Sequence, residues 1–175
     1  MSTSIIRQCS KSDADSILSI INIAAMAYQG NIPAECWRNP YMSIEKLLSE
    51  FDNGVRFSCM ESNNTLLGVM GLQTVEDVTL IRHAYVGTTD QRRGVGTAIL
   101  TALQSTTRTP MLVGTWVSAT WAISFYQKHG FQIATPNVSK KLLPRYWSIP
   151  QRQIDASVVL FDETWQQYNN NLISS

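Results

Sequence analysis

Cysteine is scarce in this chain, and its spacing excludes two structural devices at once. Cys9, Cys36 and Cys59 are odd in number, far apart and form no Cys-x-x-Cys pair. They therefore argue against both a disulfide framework and a zinc site, and no metal is expected. Unpaired thiols make the reducing cytoplasm the expected compartment. Charge is also sparse, at 15% of residues with a net +1, so nothing points to nucleic acid or an anionic membrane as partner. No apolar run approaches a membrane span, and the first sixteen residues hold none of the length a secretory leader needs. Repeats and low-complexity tracts are missing too. What remains is 175 residues with 44% hydrophobic content. That is the profile of one domain over 1–175, with a core over about 5–160 and a loosely packed tail over 161–175.

Hydrophobic periodicity divides the chain into alternating elements. A short strand is expected over 5–9. A helix follows with Ile17, Leu18, Ile21, Ala24, Ala25 and Tyr28 on one face, started by a capping box of Ser12 and Asp15. A second helix over 43–52 would bury Ile44, Leu47, Leu48 and Phe51. Strands over 55–61 and 66–74 flank Asn63-Asn64 as a hairpin, and a third strand runs over 77–86. Val95, Ile99, Ala102 and Leu103 keep helical spacing. A strand over 111–117 then leads to a helix carrying Trp121, Ala122, Phe125 and Tyr126, with Gly130 as its left-handed ending. Segments 131–134 and 154–160 read as a last strand pair. The order is that of an α/β sandwich.

Between the third strand and the next helix lies Gln91-Arg92-Arg93-Gly94-Val95-Gly96. A loop so placed aims backbone N–H groups and the positive end of a helix dipole at one point. Its glycines admit close approach and positive φ, and its arginines add charge, so the segment suits a pyrophosphate. It is not a P-loop, since Gly96 is followed by Thr97 and Ala98 rather than by lysine. Nor is it a Rossmann fingerprint, whose third glycine would fall at Ile99.

A second segment, Ala122-Ile123-Ser124-Phe125-Tyr126-Gln127-Lys128-His129-Gly130-Phe131, follows downstream. Together, Gln-x-x-Gly-x-Gly and Ala-Ile-x-Phe-Tyr-x-Lys-x-Gly-Phe resemble the acetyl-CoA-dependent N-acetyltransferases of the GNAT superfamily. The resemblance implies an α/β fold with a mixed, mostly antiparallel sheet flanked by helices on both faces. It also implies acetyl-CoA as cofactor and direct transfer of an acetyl group to an amine. By that resemblance Gln91, Arg92, Arg93, Gly94, Val95, Gly96 and Thr97 hold the pyrophosphate. Ala84, Tyr85 and Val86 pair with the pantetheine arm, and Ser118 lies near the cofactor. Tyr126 is the general acid that protonates the departing thiolate.

The base and the acceptor are less specified. Alternation along the third strand sends Arg82 and His83 to opposite faces; the resemblance implies that Arg82 is the one toward the substrate, unless a bulge swaps them. His83 and Glu35 are the base candidates. Two loops rich in aromatics, over 28–42 and 140–150, read as acceptor walls through Tyr28, Trp37, Tyr41, Tyr146 and Trp147, or alternatively as segments packed on the sheet or a dimer contact. The acceptor is then a small-molecule or peptide amine with an apolar portion. Ala119 stands where many relatives carry asparagine, and Gly114-Thr115 where some carry a carboxylate. These departures support a second reading, a non-catalytic acyl-CoA-binding sensor of the same fold.

Overall fold

The computed structural model describes residues 4–173. Its strands are β1 (Ile5–Gln8), β2 (Arg56–Ser62), β3 (Thr65–Val75), β4 (Val78–Val86), β5 (Met111–Trp116), β6 (Gln132–Ile133) and β7 (Ser157–Phe161). They form one mixed, mostly antiparallel sheet in the order β1-β2-β3-β4-β5-β7-β6. The helices are α1 (Ala14–Ala25), α2 (Ile44–Asp52), α3 (Val95–Thr106), α4 (Thr120–Lys128), α5 (Pro136–Tyr146), α6 (Gln151–Asp155) and α7 (Glu163–Ile173). Contacts gather into two compact units. One comprises Met1–Ala27, Arg38–Gln73 and Ile81–Thr107, and the other Tyr28–Trp37, Thr74–Leu80 and Arg108–Ser175.

In the first unit, α1 and α2 pack Ile17, Ile21 and Leu47 against Phe57, Cys59 and Val69 of β2 and β3. The expected start of α1 is displaced. A 3-10 turn, Lys11–Asp13, precedes the helix, and Asp13 rather than Asp15 accepts from the Ser10 N–H at 2.8 Å. Arg7 explains the choice, because its guanidinium grips both Asp13 oxygens, at 3.0 and 2.8 Å, while also reaching Glu61. The hairpin between β2 and β3 turns at Asn63 and Asn64, both with positive φ (49° and 59°), and its register closes on Ser62 and Thr65. That backbone matches the right-handed twist of the two strands. Gly68 and Gly71 let neighbours come close to β3. A Cβ at Gly68 would lie 2.8 Å from Val95 Cγ1 of α3, and one at Gly71 would lie 2.9 Å from the Arg82 carbonyl of β4.

The second unit buries Leu112, Leu142, Leu143, Val159, Phe161 and Trp165 around Val78 and Leu80 of β4. Three expectations are corrected here. Segment 140–150 is not an irregular loop: most of it belongs to α5, which starts at the Thr135 cap with Pro136 in its first turn. Ile154 belongs to α6, so the last strand begins only at Ser157. The tail is not loose either, because α7 carries the fully buried Trp165 onto Phe161, with ring centroids 4.7 Å apart. Its final two residues lie outside the described ones. Buried Ser139 is accounted for by the Val159 N–H, which donates to its hydroxyl at 3.1 Å. Among the described residues no helix is long and apolar enough to cross a membrane.

Candidate functional site

The loop leaving β4 is shaped by its own backbone. The Gly87 N–H donates to the Leu67 carbonyl at 2.8 Å, and the Asp90 N–H closes a turn on the Gly87 carbonyl at the same distance. Thr89 and Arg93 then hold the Asp90 carboxylate, at 3.0 and 3.1 Å. Arg92 and Gly94 both take left-handed φ, 61° and 81°, which bends the chain into the first turn of α3. Gly94 is the N-cap of that helix and supplies no side-chain acceptor. A Cβ built on it would meet no atom within 4 Å. The first-turn N–H groups of α3 thus have no side-chain cap from Gly94, at the positive end of the helix dipole. Exposed Arg92 and Arg93 stand beside them. These residues fit a pyrophosphate. Along the strand before the loop, Ala84 and Val86 are half-buried, and Tyr85 packs on the first core.

A cluster of charge buried in the same unit escaped sequence reasoning. Glu50 on α2 has only 3% of its side chain exposed. Its Oε1 pairs with Lys46 Nζ at 2.7 Å, while Oε2 lies 3.3 Å from both Arg82 Nη2 and His83 Nε2. Arg82 and His83 thus reach the same oxygen, where strict alternation would send them to opposite faces. The cause is local: His83 has φ of 50°, which breaks the alternation in mid-strand. Its ring also stacks on Phe57, with centroids 6.0 Å apart. Helix α2 buries Leu47 and Glu50 rather than the fully apolar face expected, and Ile44 is exposed. The available signal was the Lys46–Glu50 pair, one helical turn apart on a helix face that also carries Leu47.

Electrostatics in this unit give a signed pH dependence. Burial pushes the Glu50 carboxyl up, but His83, Lys46 and Arg82 outweigh it and hold the group at about 2. The Arg7 guanidinium brings Asp13 down to about 2 as well. Burial lowers His83 below the ordinary histidine value, despite the nearby carboxylate. For each group the folded chain binds its proton less readily than the unfolded chain does, so each contribution is complete above the unfolded pKa and fades as pH falls. The expected melting temperature is flat above about pH 7, falls first below about 6.5 as histidine charges, and falls again from about 4.5 toward 2. Thermal unfolding over that range checks it, and a stability maximum in mildly acidic solution would contradict it.

In the second unit, Tyr126 of α4 is buried with its ring edge-on to Phe125 and Phe131, at 5.1 and 5.5 Å. Burial, with Tyr28 adding to it, raises its pKa far above the usual phenol value, so the hydroxyl stays protonated. Ser118 is exposed, just before the buried Ala119 that opens α4. Tyr28 stacks on Trp121 at 5.8 Å, and Trp37 is half-buried at the end of a 3-10 turn, Ala34–Cys36. Tyr41 packs against the first unit's core. Glu35 is 57% exposed and sits 2.6 Å from Arg152; its own backbone N–H, then Arg152, hold its carboxyl below the ordinary range. That environment favours a fixed anion over a proton acceptor. Tyr146 and Trp147 are corrected from loop wall to core, 6% and 9% exposed. The Tyr146 hydroxyl donates to Asp77 at 2.8 Å, and the Trp147 indole covers Gly114 of β5.

Both segments singled out in the sequence fall inside one recognisable span. Residues 53–133 match a family model described as an acetyltransferase (GNAT) domain. Over that span the chain is similar to the GNAT acetyltransferases. Solved structures of the same fold include the PaiA N-acetyltransferase of Thermoplasma acidophilum in complex with coenzyme A. It is 17% identical with a TM-score of 0.68, over 91% of this chain and 98% of that one. A GNAT-family acetyltransferase of Staphylococcus aureus Mu50 matches at 14% identity and a TM-score of 0.67, with the same two coverages. The putative acetyltransferase YncA of Salmonella typhimurium, solved with acetyl-CoA, is 18% identical with a TM-score of 0.59, over 76% of this chain and 82% of that one. At these identities the likeness is one of fold. Among curated proteins none is matched significantly.

The GNAT span includes the loop over 91–97, His83 and Tyr126, but it begins after Lys46 and Glu50. Tyr28, Glu35, Trp37 and Tyr41 also precede it. The buried carboxylate of α2 therefore lies outside the matched span.

Proposed function

We propose that this chain transfers an acetyl group from acetyl-CoA directly to the amine of a small molecule or peptide. The observation that carries the reading is the left-handed Arg92–Gly94 bend at an uncapped helix N-terminus, within the span that matches the GNAT family. The bound cofactor would supply a thioester activated for attack by nitrogen. Gln91, Arg92, Arg93, Gly94, Val95, Gly96 and Thr97 bind its pyrophosphate through backbone N–H groups and charge. Ala84, Tyr85 and Val86 offer strand-edge groups to the amides of its pantetheine arm, and Ser118 offers a hydroxyl. Tyr28, Trp37, Tyr41 and Arg82 are the acceptor-facing candidates. The three free thiols fit work in the reducing cytoplasm.

His83 takes one proton from the acceptor ammonium and later passes it to solvent. Tyr126 gives its hydroxyl proton to the thiolate and recovers one from the newly acylated nitrogen, so the proton count closes. Burial keeps the Tyr126 hydroxyl protonated throughout the working range, the state a donor must start from. Glu35, already paired with Arg152, is the weaker base candidate.

The test is thiol release from acetyl-CoA over a panel of amines, for wild type and Tyr126→Phe. Turnover is expected, with a loss of about 100-fold or more in kcat on removing the hydroxyl. Binding of coenzyme A with no turnover across the panel would overturn the transferase reading and leave an acyl-CoA sensor.

A further inference from the structure

The cluster around Glu50 holds an unresolved pairing. Glu50 Oε2 and His83 Nε2 are both buried, lie 3.3 Å apart, and neither has an aligned hydrogen-bond partner. Two orphaned polar atoms facing one another at that separation can both be satisfied by a single proton. Carboxylate oxygen is acceptor only, so the proton must sit on the ring nitrogen. A small rotation about the broad χ2 torsion of histidine is enough to align it.

The other groups around Oε2 do not compete for the role. Arg82 Nη2 stands at the same 3.3 Å without an aligned hydrogen bond to Oε2, while its Nη1 donates to Gln73 Oε1 at 2.7 Å. Lys46 is on the opposite oxygen. These are the charged groups that face His83: Glu50 and Lys46 from α2, and Arg82 from β4 itself. Phe57 of β2 supplies an uncharged ring beneath the imidazole. His83 keeps 17% of its side chain exposed even though Nε2 is sealed.

We propose that Glu50 is the positioning residue for His83, accepting the Nε2–H of the neutral ring and so leaving Nδ1 as the nitrogen that takes the acceptor's proton. The inference deepens the proposed acetyltransferase reading and rests on its assignment of His83 as base. In the step itself, an N–H bond of the acceptor ammonium breaks and an Nδ1–H bond forms. The ring becomes an imidazolium, and its Nε2–H stays on Glu50, which balances the new charge.

The chain has two histidines, so long-range proton–nitrogen correlation spectra of the labelled full-length protein, with His129→Gln for assignment, read this ring directly. At pH 8 the expected state of His83 is the Nε2–H tautomer. In Glu50→Gln the amide can donate to Nε2 instead. The ring should then shift toward Nδ1–H, and its pKa should fall because the carboxylate that supports its charge is gone. A structural role alone would move neither signal. Lys46→Met, at an exposed site, serves if the first variant does not fold. Losing a nearby cation should raise the His83 pKa while the tautomer stays Nε2–H. A wild-type ring in the Nδ1–H form, or a tautomer and titration unchanged in these variants, would overturn the positioning role.

The two readings fail separately. Wild-type turnover with the wrong tautomer removes Glu50's role and leaves the transferase. The right tautomer without turnover on any amine removes the transferase, and with it the catalytic use of His83.

Discussion

Trp165→Ala is expected to destabilise the protein by about 3–5 kcal/mol, the range for truncating a large buried aromatic. Trp165 is fully buried and tilted against Phe161 of β7. Its backbone is fixed as well. Its N–H donates to the Asp162 carboxylate at 2.9 Å, and its carbonyl accepts from the Asn169 side chain at 3.0 Å. Removing the indole leaves a cavity beneath β5 and β7 that a helix held at both points cannot collapse to fill. Tyr168, on the same helix and 77% exposed, is the control, and its alanine variant should stay within about 0.5 kcal/mol of wild type. Urea titration of both variants measures the contrast. Equal stabilities would mean that α7 contributes nothing to the second core.

Gly94→Glu is expected to weaken coenzyme A binding by at least about 100-fold, equivalent to roughly 2.8 kcal/mol. Two effects act in the same direction. At φ of 81° any β-carbon is strained, and a carboxylate there would face the anion from the spot where the helix dipole now attracts it. Gly94→Asn separates them, because asparagine tolerates the left-handed region and brings no charge. That variant should keep binding within about tenfold of wild type. Calorimetric titration with coenzyme A decides the matter. Undiminished binding by the glutamate variant would place the pyrophosphate elsewhere and remove the main support for the cofactor assignment.

Features encoded over a few neighbouring residues were legible in the sequence. The Asn63-Asn64 hairpin, the Gly130 helix ending and the loop before Val95 each depend on local backbone demands that particular residues meet. The strands and helices of the first unit followed from apolar periodicity for the same reason. Glu50 was not legible, because what makes a buried carboxylate tolerable is contributed by Arg82 and His83 on a different element. Periodicity registers apolar residues and passes over a charge on their face. His83 itself was noticed, but its left-handed backbone was not, so its partnership with Arg82 was misjudged. The second unit misled in the opposite way. Polar neighbours such as Asn169, Asn170 and Asn171 masked the single indole that anchors α7, and the aromatics at 146 and 147 looked like surface while they were filling a core.

Gly68 acts as a shim. The missing methyl group lets α3 settle onto β3, so the height of the N–H groups of Val95 and Gly96 above the sheet is set by one absent carbon, a thickness of about 1.5 Å. Whatever anion the loop holds, its seat can be raised from underneath, by one substitution on the far side of Val95, without altering any residue that touches it.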